Sequence, residues 1–316
     1  MSFEFQLWCN CGPVNLTMAL SYYGWEHDQN TAANWLKPSI EDRNVSPGQL
    51  ALFVNQQTEI PYLRALWRYG GNIDLIKRLI AAGFPVVVES GFQPEDQDWM
   101  GHYMTIVAYD DTVETIWIYD SYEGQGPQYQ GVLHSYDEFD SWWRHFNRVF
   151  LVVYPLDREN DIRAILGDSI DPEYAARMAL DAARQEATAD QTDVWAWFNA
   201  GTSATRLGLY DDAAIYYDEA FRLGLPFRMM WYQFGPYEAY YHTGRYDDVI
   251  ALANNTEATT IYVEETRYWR GMAYAALGRT DEAISEFNAV LSFNPNFADA
   301  RTAKEQVETG VFVPPM

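Results

Sequence analysis

A repeating frame in the C-terminal part of the chain constrains the fold most strongly. Gly208, Gly244 and Gly278 are separated by 36 and 34 residues, and each is followed within a few positions by an acidic pair and small or branched apolar residues. A period of this length is typical of stacked helical hairpins, because small residues let two helices approach closely and aromatic residues fill the spaces between hairpins. The frame therefore predicts an all-α array from residue 193 onward.

These repeats resemble tetratricopeptide repeats. The third copy carries the pattern most completely, at Trp269, Gly271, Tyr274, Ala283, Phe287 and Pro295, whereas the second has Pro236 inside its predicted first helix. The resemblance implies about three repeats over 193–316 with a C-terminal capping helix, preceded by a linker and capping helix over 157–192. Such arrays bind peptides or protein partners, or brace a neighbouring domain, so a protein partner at the repeats is left open.

The N-terminal part is organised around a cysteine at a predicted helix start. Gln6 precedes Cys11 by five residues, and Gly12-Pro13 then leads into apolar residues at helical spacing. Proline is tolerated in the first turn of a helix, where its missing N–H leaves no hydrogen bond unmade. A thiol at a helix N-terminus lies at the positive end of the helix dipole, which lowers its pKa. The pattern predicts a reactive thiolate that needs a base from elsewhere in the chain.

A predicted hairpin supplies that base. His102 opens a β-branched strand, and Asp120 ends the strand expected to pair with it through a turn at Asp110-Asp111. Pairing would place the imidazole beside the carboxylate, which can orient it. Helices come first and strands follow, which predicts an α+β domain over residues 1–156.

Together these motifs resemble the papain-like cysteine peptidases, and among them the bacteriocin-processing (double-glycine) peptidase-like family. The resemblance implies N-terminal helices packed on an antiparallel sheet, with Cys11 as nucleophile, His102 as base and Asp120 as orienting residue. It also implies that Gln6 donates to the oxyanion, although the step from Gln6 to Cys11 is one residue shorter than in the better-known members. The membrane domain of the transporter-fused processing enzymes is absent from the sequence, so cleavage after a double glycine is not implied.

The other titratable candidates have simpler interpretations. Cys9 is expected to be a packing residue, and four further histidines are expected to be structural or solvated: His27, His134, His145 and His242. Asp110 and Asp111 are expected in the hairpin turn, with either as an alternative orienting partner of His102. The glycine-rich loop Tyr122–Pro127 is expected as a wall of the cleft.

Composition limits the partners. The 316 residues carry a formal net charge of −24, which disfavours nucleic acid and anionic membrane surfaces as partners. There is no apolar run long enough to span a membrane, and the two cysteines have no zinc-type spacing, so neither a membrane span nor a metal or other cofactor is expected. No signal peptide is recognisable as written, which fits either a trimmed extracellular or cell-surface bacterial protein or a cytoplasmic one.

Three functions follow from these observations. The sequence favours a thiol-dependent peptide hydrolase that acts through a thioester on a peptide or protein substrate. A transpeptidase or ligase would use the same residues, because the difference lies in whether water reaches the thioester. The third interpretation is a catalytically silent papain-like scaffold that serves as a protein-binding module.

Overall fold

The computed structural model describes residues 1–56, 59 and 61–315. The chain divides into two compact units. The first unit comprises Met1–Leu36 and Val45–Ala189, and the second comprises Lys37–Asn44 and Asp190–Met316. The expected boundaries at 156 and 192 stay predictions. The segment 157–189, expected as linker and repeat cap, groups with the first unit, while the short loop Lys37–Asn44 groups with the repeats.

The described residues of the first unit form an antiparallel sheet of six strands. Its strands are β1 (Leu63–Arg68), β2 (Val86–Phe92), β3 (Met100–Asp110), β4 (Thr115–Asp120), β5 (Val132–Ser135) and β6 (Phe150–Pro155). The spatial order is β1-β6-β2-β3-β4-β5, and every pairing is antiparallel. The predicted hairpin is present as β3 and β4, with a register shift between Ile106 and Ala108.

Helices cover both faces of this sheet. They are α1 (Cys11–Ser21), α2 (Gln29–Leu36), α3 (Pro47–Gln56), α4 (Ile73–Ala81), α5 (Tyr136–Trp143), α6 (Glu159–Leu166) and α7 (Pro172–Ala189). Apolar residues of α1, α2 and α3 form one buried cluster with one face, and residues of α4, α5 and α6 form a second with the other. Successive strand residues point to opposite faces, so the apolar strands here are buried on both sides.

Local sequence explains where α3 begins. The Ser46 hydroxyl accepts a hydrogen bond from the backbone N–H of Gln49 at 3.2 Å, and the Gln49 side chain accepts one from the N–H of Ser46 at 2.7 Å. This reciprocal pair is a capping box, and Pro47 occupies the first helical position, as the sequence predicts.

The second unit is built from helical hairpins. Three hairpins pair α8 (Val194–Arg206) with α9 (Tyr210–Leu223), α10 (Gly235–His242) with α11 (Tyr246–Glu257), and α12 (Glu264–Ala276) with α13 (Thr280–Phe293), and α14 (Ala298–Glu308) follows. The three frame glycines each follow the first helix of a hairpin with φ of 69° to 72°, a conformation that glycine adopts without a steric penalty. Pro236 lies in the first turn of a short α10, so it begins the helix and does not interrupt it.

Close helix contact inside the hairpins depends on small residues. A Cβ atom added at Gly201 would lie 2.6 Å from the Tyr217 ring, and one added at Gly271 would lie 2.8 Å from the Phe287 ring. The same glycine-to-aromatic relationship therefore recurs in the first and third hairpins. Among the described helices, none combines the length and apolarity needed to cross a membrane.

Candidate active site

The candidate nucleophile lies at the first residue of α1. Cys11 is half-buried, and Asn10 before it has non-helical backbone and provides no side-chain cap. The rest of α1 from Gly12 to Leu20 is buried, which fixes the helix against the sheet. The positive end of the helix dipole therefore lies at the thiol, as the sequence predicts.

His102 and Asp120 come together at the same end of the sheet. The imidazole Nε2 of His102 lies 2.9 Å from Oδ1 of Asp120, and both side chains are at least 97% buried. At this end of the sheet, the outermost pair of residues between β3 and β4 is Met104 opposite Asp120. His102 lies in β3 two residues beyond that pair. The strand pairing expected from the sequence thus brings the predicted base and its predicted orienting residue into contact.

The loop after β4 holds Asp120 in place. Its Oδ1 also accepts hydrogen bonds from the backbone N–H groups of Tyr122 at 2.7 Å and Glu123 at 3.0 Å, and the backbone of Asp120 pairs with Gly124. The ring of Phe92 stacks on the imidazole of His102 with 4.7 Å between centroids. His102 is therefore constrained both at its edge and on its face.

The imidazole of His102 lies close enough to the thiol of Cys11 to act on its pKa. Because Nε2 is engaged by Asp120, Nδ1 is the ring nitrogen left for the thiol. Burial raises the pKa of Cys11, but the hydrogen bond and charge of His102, together with backbone N–H groups of Tyr103 and Gly12, outweigh it and leave the pKa below its ordinary value. These contacts favour the thiolate.

The pKa of His102 moves the opposite way. Burial lowers it, but the charge and hydrogen bond of Asp120, and then the Cys11 contact, outweigh burial and raise the pKa to about 10. For Asp120, burial raises the pKa, whereas His102 and the two loop N–H groups lower it below its ordinary value. The three groups therefore favour a thiolate–imidazolium pair beside an ionised carboxylate.

Gln6 is fixed next to these residues through Ser121. The backbone N–H of Gln6 donates to the carbonyl of Ser121 at 2.9 Å, and the Ser121 hydroxyl donates to the Gln6 Oε1, also at 2.9 Å. Ser121 in turn accepts from Asn15 Nδ2 at 3.1 Å, and Asn15 also donates to the carbonyls of Cys11 and Tyr103. Because Oε1 is engaged, the amide N–H₂ of Gln6 is the end left to donate.

Gln29 is a residue that the sequence reasoning did not identify. It is 1% exposed, and its Oε1 accepts from the N–H of Leu7 at 2.8 Å and from Asn10 Nδ2 at 3.1 Å. Its Nε2 donates to a Glu4 carboxylate oxygen at 2.7 Å and to the carbonyl of Phe5 at 2.8 Å. One side chain therefore holds the segment that carries Gln6 on both sides of that residue. A lone glutamine in a polar stretch gives no sequence signal for this role.

Glu89 is a second residue that the sequence did not single out. It lies in β2 opposite Tyr103 and is 1% exposed. Burial, and then the charge of Cys11, hold its pKa well above the ordinary value, while a hydrogen bond from Tyr103 acts in the opposite direction. The neutral form of Glu89 is therefore favoured, in part by the charge of Cys11. Its only signal in the sequence is that a charged residue ends the apolar run Val86–Val88.

The remaining histidines have other partners. His27 lies 3.2 Å from Glu59, His134 lies 3.4 Å from Glu138, and the Nδ1 of His145 accepts from the Trp99 indole at 3.1 Å. His242 stacks on Tyr210 with 4.0 Å between ring centroids.

Asp110 and Asp111 lie at the turn between β3 and β4, at the opposite end of β3 from His102. Asp111 pairs with Lys77 at 2.6 Å, and Asp110 accepts from Thr112. The alternative that either aspartate orients His102 is therefore wrong, because the length of the strand separates them. Cys9, two residues before the thiol, has left-handed backbone with φ of 53°.

Over the described residues, no group of three or more His, Cys, Asp or Glu side chains is arranged to hold a metal ion.

Comparisons with known proteins give matches to two parts of the chain. Residues 2–150 match the family model described as the Peptidase_C39 like family, and residues 264–297 match the tetratricopeptide repeat model. Residues 2–150 are therefore similar to the C39-like peptidase family, and residues 264–297 are similar to a tetratricopeptide repeat. No curated protein matches the chain.

Several solved structures are similar to parts of the chain. A C39-like protein from Bacillus anthracis is 17% identical, with 48% of this chain and 94% of that chain covered and a TM-score of 0.38. YrrB, described as a TPR protein with an unusual peptide-binding site, is 19% identical over 48% of this chain and 74% of its own, with a TM-score of 0.37. MamA is 19% identical over 46% of this chain and 84% of its own, with a TM-score of 0.38.

Proposed function

We propose that the protein is a thiol-dependent peptide hydrolase. The observation that carries the proposal is the convergence of Cys11, His102 and Asp120, in which a hydrogen-bonded imidazole holds the thiol pKa below its ordinary value. Nucleophile, base and orienting group are the minimum set for acyl transfer by a thiol.

The reaction would proceed in two halves. The Cys11 thiolate attacks the carbonyl carbon of a peptide bond, and the carbonyl oxygen becomes an oxyanion. The amide N–H₂ of Gln6 and the backbone N–H of Cys11 would donate to that oxygen. The His102 imidazolium then protonates the leaving amine as the C–N bond breaks, and a thioester remains on Cys11.

Hydrolysis of the thioester returns the enzyme to its starting state. His102, now neutral, accepts a proton from water, and the resulting hydroxide attacks the thioester carbonyl. The C–S bond breaks, the product leaves as a carboxylic acid, and the thiolate–imidazolium pair is restored. Asp120 would stabilise the imidazolium in both halves and keep Nδ1 directed at the thiol.

The repeats support a binding role in addition. Tetratricopeptide repeats are a protein-interaction architecture, and we propose that the second unit binds the substrate or a protein partner.

A comparison of Cys11→Ala with Cys9→Ala tests the hydrolase. The full chain is incubated with a peptidyl electrophile and with a library of internally quenched peptides, and the modified cysteine is mapped by mass spectrometry. We expect labelling at Cys11, and we expect hydrolysis to survive Cys9→Ala and to be lost in Cys11→Ala. Labelling confined to Cys9, or cleavage that persists in Cys11→Ala, contradicts the proposal.

The same assay separates the alternatives. If an added acceptor peptide captures the acyl group through its amine, so that a new peptide bond forms in place of the carboxylic acid, the protein is a transpeptidase or ligase. If peptides bind without labelling or cleavage, the domain is a silent scaffold that serves as a binding module.

A further inference from the structure

A cavity adjoins the catalytic pair on the face of the sheet that packs against α5. Its volume is about 240 Å³, and Asp120 and Phe92 line it. Asp120 is hydrogen-bonded to His102, and Phe92 stacks on the same imidazole, so two residues of the wall contact the proposed base directly. An extended peptide advances by about 3.3–3.6 Å per residue, and the proposal below places one substrate side chain, a few residues from the scissile bond, in this cavity.

The interior of the cavity is apolar. Met104 and Ile118 contribute from the sheet, and Phe139 and Trp142 contribute from α5. Phe139 is 2% exposed and Met104 is 6% exposed, so these walls belong to the packed core and are fixed. The volume is below the roughly 300–1,000 Å³ of pockets that enclose a whole small ligand. A cavity of this size and lining is suited to one long side chain.

The rim of the cavity is acidic. Glu123 follows Asp120 in the loop after β4, and Glu138 lies on α5. Glu138 has His134 at 3.4 Å, whereas the Glu123 carboxylate makes no ion pair or side-chain hydrogen bond within the described part of the chain. No lysine or arginine is among the described residues that line the cavity. Partial burial, and then repulsion from Asp120, raise the pKa of Glu123, whereas the charges of His134 and His102 act in the opposite direction.

We propose that this cavity is the subsite for a basic side chain, lysine or arginine, of the peptide substrate. The aliphatic stem would lie against the apolar walls, and the terminal cation would meet Glu123 and Glu138 at the rim. A neutral side chain of the same length would gain the apolar contacts only, and an acidic one would be repelled. The proposal rests on the proposed hydrolase and names the class of substrate that it would prefer.

Turnover provides the first test. Internally quenched peptides carry lysine, arginine, norleucine or glutamate at each position in turn, and kcat/KM is measured with the full chain. We expect lysine to exceed norleucine by about tenfold or more at one position, because a hydrogen-bonded ion pair is lost with the neutral side chain. Equal rates for lysine and norleucine at every position, with cleavage intact, overturn the subsite and leave the hydrolase standing.

Matched variants assign the preference to the rim. Glu123→Gln and Glu138→Gln each remove one charge at nearly constant size, and glutamine still fits the capping-box position that Glu138 occupies after Ser135. We expect the lysine-to-norleucine ratio to fall in each variant and to approach one in the double variant. Asp137→Asn removes the same charge from an exposed position of α5 that does not line the cavity, and we expect the ratio to be unchanged. A lysine-to-norleucine ratio that is unchanged in the double variant overturns the assignment.

Binding keeps the subsite testable if turnover fails. Fluorescein-labelled peptides from the same set are titrated into the Cys11→Ala chain, and anisotropy gives the Kd for lysine and norleucine members. Tighter binding of lysine peptides that is lost in the double glutamine variant supports the subsite even when no peptide is cleaved, in which case only the hydrolase fails. Equal Kd values for the two peptides overturn the subsite.

Discussion

The imidazole Nε2 of His102 lies 2.9 Å from the Oδ1 of Asp120, although the two residues are 18 positions apart in the chain. The pairing of β3 with β4 brings them together, and the loop after β4 donates two backbone N–H groups to the same carboxylate oxygen. The ring nitrogen that faces Cys11 is set by this contact.

Asp120→Asn should lower kcat by about 10²–10⁴, because an amide cannot stabilise the imidazolium and can favour the wrong imidazole tautomer. The measurement is steady-state hydrolysis of the best library peptide. Asp111→Asn is the matched control, since Asp111 lies at the hairpin turn and pairs with Lys77. A comparable loss in Asp111→Asn would contradict the assigned role of Asp120.

The dependence of kcat/KM on pH should be bell-shaped with a broad plateau. Activity requires the thiolate–imidazolium pair, so it should fall as pH decreases through the lowered pKa of Cys11. It should fall again as pH rises through the His102 pKa of about 10, where the imidazolium loses its proton. The rate of Cys11 alkylation by iodoacetamide measures the acid limb without a substrate. An alkaline limb near the ordinary histidine pKa of about 6.5 would show that Asp120 does not hold the proton on the ring.

Gln29→Glu should impair the oxyanion site and spare the thiol. The substitution keeps the size of the side chain but removes the two N–H donors to Glu4 and Phe5, and it places two carboxylates together. A shift of the segment that carries Gln6 should lower kcat by about ten- to hundredfold. Gln29 is a positioning residue in this view, because it acts through Gln6.

Two probes separate that role from a general loss of structure. A peptide aldehyde forms a hemithioacetal with Cys11, and its oxygen occupies the proposed oxyanion site, whereas iodoacetamide alkylation uses no such site. Gln29→Glu should weaken aldehyde binding and leave the alkylation rate unchanged, as Gln6→Glu should. Gln185→Glu, at an exposed position of α7, is the control with no expected effect. Parallel losses with both probes would indicate a structural defect and refute a positioning role.

Asp42→Asn should stabilise the second unit. Asp42 is 3% exposed, and burial followed by repulsion from Glu264 holds its pKa well above the ordinary value, despite Lys37 nearby. The buried carboxyl binds a proton more tightly in the folded chain than in the unfolded chain, so its contribution to stability is present at low pH and is lost as pH rises through the folded pKa.

Asparagine removes that dependence and keeps an oxygen for the hydrogen bond from the N–H of Asn44. The difference in Tm between Asp42→Asn and the original chain should therefore grow as pH rises, to the order of a few °C. Glu41→Gln, at a neighbouring position with 44% side-chain exposure, should show no such trend. Thermal unfolding across a pH series checks both variants, and a difference that shrinks with pH would contradict the assignment.

Local signals in the sequence were sufficient for the elements that carry the candidate site. The apolar spacing after Gly12-Pro13 predicts α1. The β-branched runs after His102 and before Asp120 predict the hairpin, and the structure confirms it as β3 and β4. The repeated glycines predicted the helical hairpins for the same reason, since each marks a turn between two helices. Patterns of this kind depend only on residues that are close together in the sequence, so they can be recognised without the tertiary structure.

The edges of the sheet were harder to predict. The segment that forms β1 is ambiguous in the sequence, and β5 has only four residues, so neither offers a run long enough to identify. The position of β6 between β1 and β2 depends on pairing between strands more than 60 residues apart, which no local pattern encodes.

The sequence by itself determined that a thiol begins a helix, that a histidine opens one strand and an aspartate ends the strand paired with it, and that helical hairpins follow. Only the tertiary structure decided that Gln29 holds the segment of Gln6 from both sides, that the charge of Cys11 acts on the buried carboxyl of Glu89, and that Lys37–Asn44 groups with the repeats. The physical reason is that periodicity and helix capping act over a few neighbouring residues, whereas a hydrogen-bond partner or a buried charge is selected by whichever distant segment the packed core brings next to it.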